Sequence, residues 1–323
     1  MAADAPTWMW TYETLPLGVE ALRVLAVETA CMQAAIPRDE AGQSSQQRAD
    51  KAMIESMFTG IHDMFWPFMS SMPAPGDFER LITDLKEAAR ALHSAQPADT
   101  RTDLELDPGK LVFDGAKTVS DHLSTWSGAA AREFKAKYLD PLPTQTAGIY
   151  NAIMLTVELV RLERGVWEGV RTDITQILND AIDTLRNMPG WCGKDSLNTV
   201  LTTVAGLATI AAVPLSPLGT SLAVGLAVLD GTASVGATLL PDDPKKFLRF
   251  PAPNAYGVII AVERAIAELY ARINEQEHKI ARFFDSAAAV ISREHDSYIP
   301  PLPMLAGATQ RNVTGQDYMG FSS

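Results

Sequence analysis

The 323-residue sequence contains few of the residues from which catalytic and metal sites are built. Its two cysteines, Cys31 and Cys192, are far apart and form no CxxC pair, so neither a zinc site nor a disulfide framework is expected. The five histidines show no HExxH pattern or other close metal-ligand spacing. No P-loop, strand-linked GxGxxG or GxSxG motif is present. We therefore predict a protein that is not an enzyme and that has no cofactor and no metal site.

Basic charge is also scarce, because 27 Lys and Arg stand against 39 Asp and Glu and give a formal net charge of −12. A nucleic-acid surface needs clustered Lys and Arg, so no nucleic-acid partner is expected. No basic segment precedes an apolar run near the N-terminus, and no signal peptide is predicted. The N-terminal aromatic residues, among them Trp10 and Tyr12, are predicted to pack on the rest of the protein, because exposing them is costly.

Alternating strand patterns are rare in this sequence. Hydrophobic residues make up 47% of the chain and aromatic residues only 7%, which favours an all-α protein. Apolar residues recur in steps of three and four between breaks rich in Pro and Gly. This spacing predicts helices over about 17–36, 49–69, 77–93, 111–123, 145–188 and 255–296.

Two of the predicted helices are long, and each has a continuous apolar stripe. The stripe of helix 145–188 includes Trp167 and Ile174, and Trp167 is interpreted as a core residue on it. Helix 255–296 repeats its apolar residues at heptad spacing and includes Ile266 and Leu269. The helices have similar lengths, so we expect them to pack antiparallel within an elongated helical bundle.

The stretch from 196 to 229 contains no charged residue. Pro214 and Pro217 divide it into two apolar arms, at about 197–213 and 218–240, and Asp230 interrupts the second arm. Each arm is close to the length that crosses a bilayer. A buried helical hairpin is the favoured interpretation, because an unpaired Asp in lipid is costly, and membrane insertion is the alternative.

A bend is predicted at Trp126, Ser127 and Gly128, between a short amphipathic helix and a run of three alanines that leads to Phe134. Glycine supplies the backbone freedom that a tight reversal needs. A Trp beside the reversal can fix the angle between two helices, because it buries a large rigid area. The pattern predicts a helical hairpin.

The bend resembles that of the Trp-x-Gly (WXG-type) helical-hairpin proteins exported by type VII (ESX) secretion systems. The sequence that follows the bend, over about 138–143 and then 163–174, is similar to that of larger actinobacterial relatives with a long second helix. The resemblance covers about 110–190 and implies a helical protein partner or self-association. It also implies a secreted or cell-surface protein that leaves by a non-Sec route and has a cytoplasmic pool.

The family's export signal, Tyr-x-x-x-Asp/Glu after the hairpin, is missing. The residues four places after Tyr256, Tyr270 and Tyr298 are Ile, Asn and Leu. If the protein is exported, the resemblance therefore implies that a partner carries the signal.

We predict four segments: an N-terminal helical region (1–96), the Trp-x-Gly hairpin with its long helix (109–190), the apolar hairpin with the C-terminal helix (191–299), and an irregular tail (300–323). The predicted function is a type VII secretion-associated effector or structural partner that acts through helix–helix association. The competing hypothesis is an α-helical pore-forming or membrane-active protein that uses the apolar hairpin 196–240.

Overall fold

The computed structural model of the protein describes residues 9–93, 110–122, 129–188, 198–203, 246–251 and 254–293, together with His295 and Tyr298. The α-helices of this part of the chain are α1 (Leu15–Gln33), α2 (Ser45–Met57), α3 (Ile61–Ser70), α4 (Pro75–His93), α5 (Lys110–His122), α6 (Ala129–Phe134), α7 (Leu142–Asn187) and α8 (Ala255–Arg293). Short 3-10 turns lie at Tyr12–Thr14 and Glu40–Gly42, and a π-turn lies at Lys135–Leu139.

The described residues are mostly α-helical, which confirms the predicted helical class. One element differs, because strands β1 (Asn198–Thr203) and β2 (Lys246–Pro251) form a two-stranded antiparallel sheet in which Asn198 pairs with Pro251. The prediction of a helix from about residue 197 is therefore wrong for β1. Val and three Thr in these six residues are β-branched, and such residues favour strands over helices.

The predicted helix 49–69 is also wrong in its middle, where α2 and α3 are separate helices. The break lies at Phe58, Thr59 and Gly60, and Phe58 is only 1% exposed. Glycine weakens a helix interior, and the break turns the Phe58 ring into the core. Further along, Pro141 lies between the π-turn and α7, and Pro143 lies in the first turn of α7, so the predicted proline break is confirmed.

The chain divides into two compact units that do not follow chain order. Unit 1 comprises 1–77, 162–209 and 241–279, and unit 2 comprises 78–161, 210–240 and 280–323. Within unit 1, deeply buried side chains come from α1, α3, α7 and α8, among them Leu15, Leu22, Phe65, Phe68, Ile174, Ile177, Leu178, Val258 and Val262.

Within unit 1, α7 and α8 run in opposite directions. The Gln33 side chain joins the end of α7 to the start of α8: its Nε2 donates to Met188 Sδ (3.0 Å) and its Oε1 accepts from the Ala255 amide (3.2 Å). Glu163 lies more than twenty residues before Met188 on α7, and Glu277 lies more than twenty residues after Ala255 on α8. The charge of Glu277 nevertheless raises the pKa of Glu163, so the two helices are again close there.

Within unit 2, α4 packs antiparallel on the first half of α7. Ile82 forms a buried cluster with Val157 and Val160. About two turns further along α4, Ala89 forms a second buried cluster with Tyr150 and Met154.

The packing of α7 gives a first prediction. Ile174 is fully buried, so Ile174→Ala should lower the free energy of unfolding by about 2–5 kcal/mol, the usual cost of such a truncation in a core. Urea unfolding followed by circular dichroism measures the change. Leu17 on α1 is 66% exposed, so Leu17→Ala is a control that should change stability by no more than about 0.5 kcal/mol. Equal losses in the two variants would contradict the described core.

Candidate functional site

The predicted hairpin falls on α5, α6 and the π-turn, all in unit 2. Trp126, Ser127 and Gly128 lie outside the described residues. On either side of them, α5 contacts the π-turn at Lys135–Leu139, as two arms of a hairpin do. Phe134 is half-buried and stacks on Tyr138, with ring centroids 5.7 Å apart and ring planes at 27°.

The π-turn and α5 differ in how much of their surface is exposed to solvent. The turn is closed by a hydrogen bond from the Asp140 amide to the Lys135 carbonyl (2.9 Å), and Leu139 is buried beneath it. Single π-turns occur frequently at functional sites. The residues of α5 whose exposure is described are exposed except Ser120, and Val119 is 42% exposed.

The predicted apolar stripes of the two long helices are largely buried. Ile174, Ile266 and Leu269 are each at most 5% exposed. Further along the heptad positions of α8, Ile280 and Phe283 are half-buried, and Ala287 and Val290 are buried. Trp167 is half-buried rather than enclosed. Its indole Nε1 donates a hydrogen bond to Glu163 Oε1 one turn earlier on α7 (2.8 Å).

Glu163 carries the clearest electrostatic perturbation among these residues. Burial raises the pKa of its carboxyl above the ordinary value of 4.5, and the charge of Glu277 on α8 raises it further. The hydrogen bond from Trp167 lowers the pKa but does not offset the burial. A charged Glu163 is therefore unfavourable in unit 1.

A site that sequence patterns do not identify holds residues 9–14, which we call the N-terminal strap. The Trp10 amide donates to Asn179 Oδ1 (2.9 Å), and Asn179 Nδ2 donates to the Trp10 carbonyl (2.9 Å). Asn179 on α7 is 4% exposed. One buried amide side chain thus satisfies both main-chain groups of Trp10.

Two further contacts hold the strap. The Tyr12 hydroxyl donates to the Phe68 carbonyl at 2.6 Å. The Arg171 guanidinium lies 4.4 Å from the centre of the Tyr12 ring, and its Nη2 donates to the Pro73 carbonyl (2.7 Å). Stacking on an aromatic ring stabilises a guanidinium. The predicted packing of these N-terminal aromatic residues is confirmed for Trp10 and Tyr12.

Gly18 on α1 makes the packing of the strap possible. A Cβ at this position would lie 2.6 Å from Leu178 Cδ2 and 2.8 Å from Trp10 Cγ, closer than any real contact. Two donors at this surface, Trp10 Nε1 and Arg171 Nε, are buried without a hydrogen-bond partner in the part of the chain that the structure describes. Each such group costs about 1–3 kcal/mol.

No signal in the sequence marks Asn179, because a single polar residue 169 positions from its partner forms no local pattern. The predicted membrane-hairpin residues Pro214, Pro217 and Asp230 lie outside the described residues. Among the described helices, none is both long and apolar enough to span a membrane. The residues that the structure describes contain no group of three His, Cys, Asp or Glu that could hold a metal ion.

Comparison with known proteins gives no relative, since no family model, curated protein or solved structure matches this chain.

The Glu163 carboxyl gives a pH prediction. Its folded pKa lies above the unfolded value, so ionisation of this carboxyl weakens the fold. The contribution of Glu163 to stability is fully present below about pH 4.5 and is lost as the pH rises through the raised pKa. Glu163→Gln removes the charge but keeps an oxygen that accepts from Trp167. The variant should therefore have a higher urea midpoint than the parent at pH 7 and an almost equal midpoint at pH 4.

Glu168 supplies the matched control for this prediction. It lies on the exposed side of α7 and pairs with Arg164 at 2.7 Å. Glu168→Gln removes the same charge without relieving burial, so its midpoint at pH 7 should equal that of the parent or fall slightly. If Glu163→Gln behaved like Glu168→Gln at both pH values, Glu163 would not be the destabilising carboxyl.

Proposed function

We propose that this protein is a type VII secretion-associated protein, a secreted effector or a structural partner, that acts by helix–helix association. The observation that carries the proposal is the contact between α5 and the π-turn on either side of the Trp-x-Gly triplet. That contact supports a helical hairpin at the place where the sequence resembles the exported family.

A second Trp-x-Gly triplet, Trp167-Glu168-Gly169, lies in α7, and its structure supports assigning the bend to the triplet at 126–128. Trp167 and Gly169 lie inside one continuous helix, so this triplet makes no bend. The spacing alone therefore does not produce a reversal. The proposed role belongs to Trp126 and Gly128, which lie in the chain between α5 and α6.

The exposure of α5 supports association with another helix. Val119 is 42% exposed and lies on the apolar side that the sequence predicts for this helix. A helical partner of different sequence would cover this side and bring the missing Tyr-x-x-x-Asp/Glu signal with it. A second copy of the chain would cover the same side but would lack the signal. The proposed localisation is the cell surface or medium, reached by a non-Sec route, with a cytoplasmic pool.

Export is tested in an actinobacterial strain with an active type VII system, with an isogenic strain that lacks the system's ATPase as comparison. The proposal expects the protein in the medium of the first strain only, and only when a helical partner is co-expressed. Equal amounts in both media, or a purely cytosolic protein despite the partner, would contradict it.

Two substitutions assign the effect to the bend. Trp126→Ala should reduce export, because the proposal assigns to this Trp the role of fixing the angle between the two hairpin helices. Trp167→Ala is the matched control, since it removes the same side chain from a triplet within a helix. Its export should equal that of the parent. Urea midpoints of both variants show that neither result follows from unfolding.

The competing function is membrane insertion of the apolar stretch 196–240, whose residues 198–203 pair as β1 with β2. The two strands hold the ends of the stretch 204–245 side by side, so the chain leaves and returns at one place, as an inserting hairpin requires. Dye release from liposomes at neutral and mildly acidic pH tests this function, with Asp230→Asn alongside. Leakage that increases in acid and is reproduced by Asp230→Asn would support it. We expect no leakage.

A further inference from the structure

The N-terminal strap is bound by unit 1 in the way that a protein binds a peptide. Five residues form what we call the strap-binding surface: Gly18, Phe68, Arg171, Leu178 and Asn179. They come from α1, α3 and α7. Thr11, beside the bound Trp10, has an extended backbone (φ −108°, ψ 172°).

Asn179 binds the main chain of Trp10 and not its side chain. Its amide offers one acceptor and one donor, at 2.9 Å each, to the N–H and C=O of one residue, Trp10. Main-chain hydrogen bonds of this kind give affinity without depending on the sequence of the bound segment. Any extended segment can therefore satisfy Asn179.

The other contacts select side chains. The Trp10 ring lies over Gly18, where a residue with a Cβ would collide. Two positions later, a hydroxyl reaches the Phe68 carbonyl, and its ring lies beside the Arg171 guanidinium. These contacts select an aromatic residue followed, two positions on, by a tyrosine.

The strap fits this surface incompletely. Trp10 Nε1 and Arg171 Nε are buried without a hydrogen-bond partner among the described residues, and burying an unpaired donor weakens a contact. A segment with Phe in place of Trp10 avoids the first cost. A segment that brings an acceptor to Arg171 Nε avoids the second.

We propose that the strap-binding surface is a peptide-binding site. The strap fills it within the chain, and an extended segment of a partner protein, with an aromatic residue two positions before a tyrosine, fills it by displacing the strap. The proposal does not depend on type VII export, because it concerns unit 1 and not the hairpin of unit 2.

A peptide-binding experiment on the full chain tests the proposal. The probe is a fluorescein-labelled peptide with the sequence of residues 7–15, followed by fluorescence anisotropy. The intact strap competes at an effective concentration on the order of millimolar, so micromolar probe should not bind the parent measurably. Trp10→Ala in the full chain removes the strap's ring, and this variant should bind the probe.

Two controls make the result specific. Adding Asn179→Ala to the Trp10→Ala chain removes both main-chain hydrogen bonds and should weaken binding roughly tenfold to a hundredfold. A probe with Ala at the position of Trp10 should bind no better than background. Absence of binding to Trp10→Ala, or binding that is indifferent to Asn179 and to the probe's Trp, would overturn the proposal.

A second measurement applies to the parent chain and does not require the Trp10→Ala variant to fold. Millimolar probe should displace the strap and speed chymotryptic cleavage after Trp10 or Tyr12, whereas the Ala-substituted probe should not. Cleavage rates that do not change with either peptide would also overturn the proposal.

Discussion

Burial of the apolar stripe along α7 is the interaction on which the described structure depends. In unit 1 this stripe includes Ile174, Ile177 and Leu178, which have no exposed surface. In unit 2 the earlier part of the same helix buries Val157 against α4. A helix of 46 residues cannot keep such a stripe in water, since most of the stability of protein helices comes from packing an apolar face. The neighbouring helices are arranged by this requirement.

Apolar burial is not directional, so it does not by itself determine where each neighbour lies along α7. Hydrogen bonds and ring contacts of polar side chains determine these positions. Asn179 and Arg171 hold the strap, the latter through the ring of Tyr12, and Gln33 joins the end of α7 to the start of α8. Each makes hydrogen bonds to main-chain groups that a shifted neighbour would leave unpaired, and a buried unpaired group is costly.

The predictable part of this fold is the part encoded in local spacing. The apolar stripes that contain Ile174 and Ile266, and the break at Pro141, depend on residues within a few helical turns of each other. Both stripes are buried and the break is present at the predicted position. The break at Phe58 was not predicted, because it depends on burial of one aromatic ring. Strand β1 was not predicted, because it depends on pairing with β2, which is distant in sequence. The role of Asn179 depends on a partner 169 residues away, which no local pattern reveals.

Two polar residues of α7 act on stability in opposite ways. Asn179 stabilises unit 1 because the oxygen and the nitrogen of its side-chain amide are both hydrogen-bonded. Glu163 weakens unit 1 when it is charged, because burial disfavours the carboxylate. They are separated by 16 residues of one helix, about 24 Å, and share no described contact. Effects of sites more than about 10 Å apart usually add. Ionisation of Glu163 therefore lowers the stability of unit 1 by the same amount whether the strap is bound or released, and these two perturbations of α7 remain energetically separate.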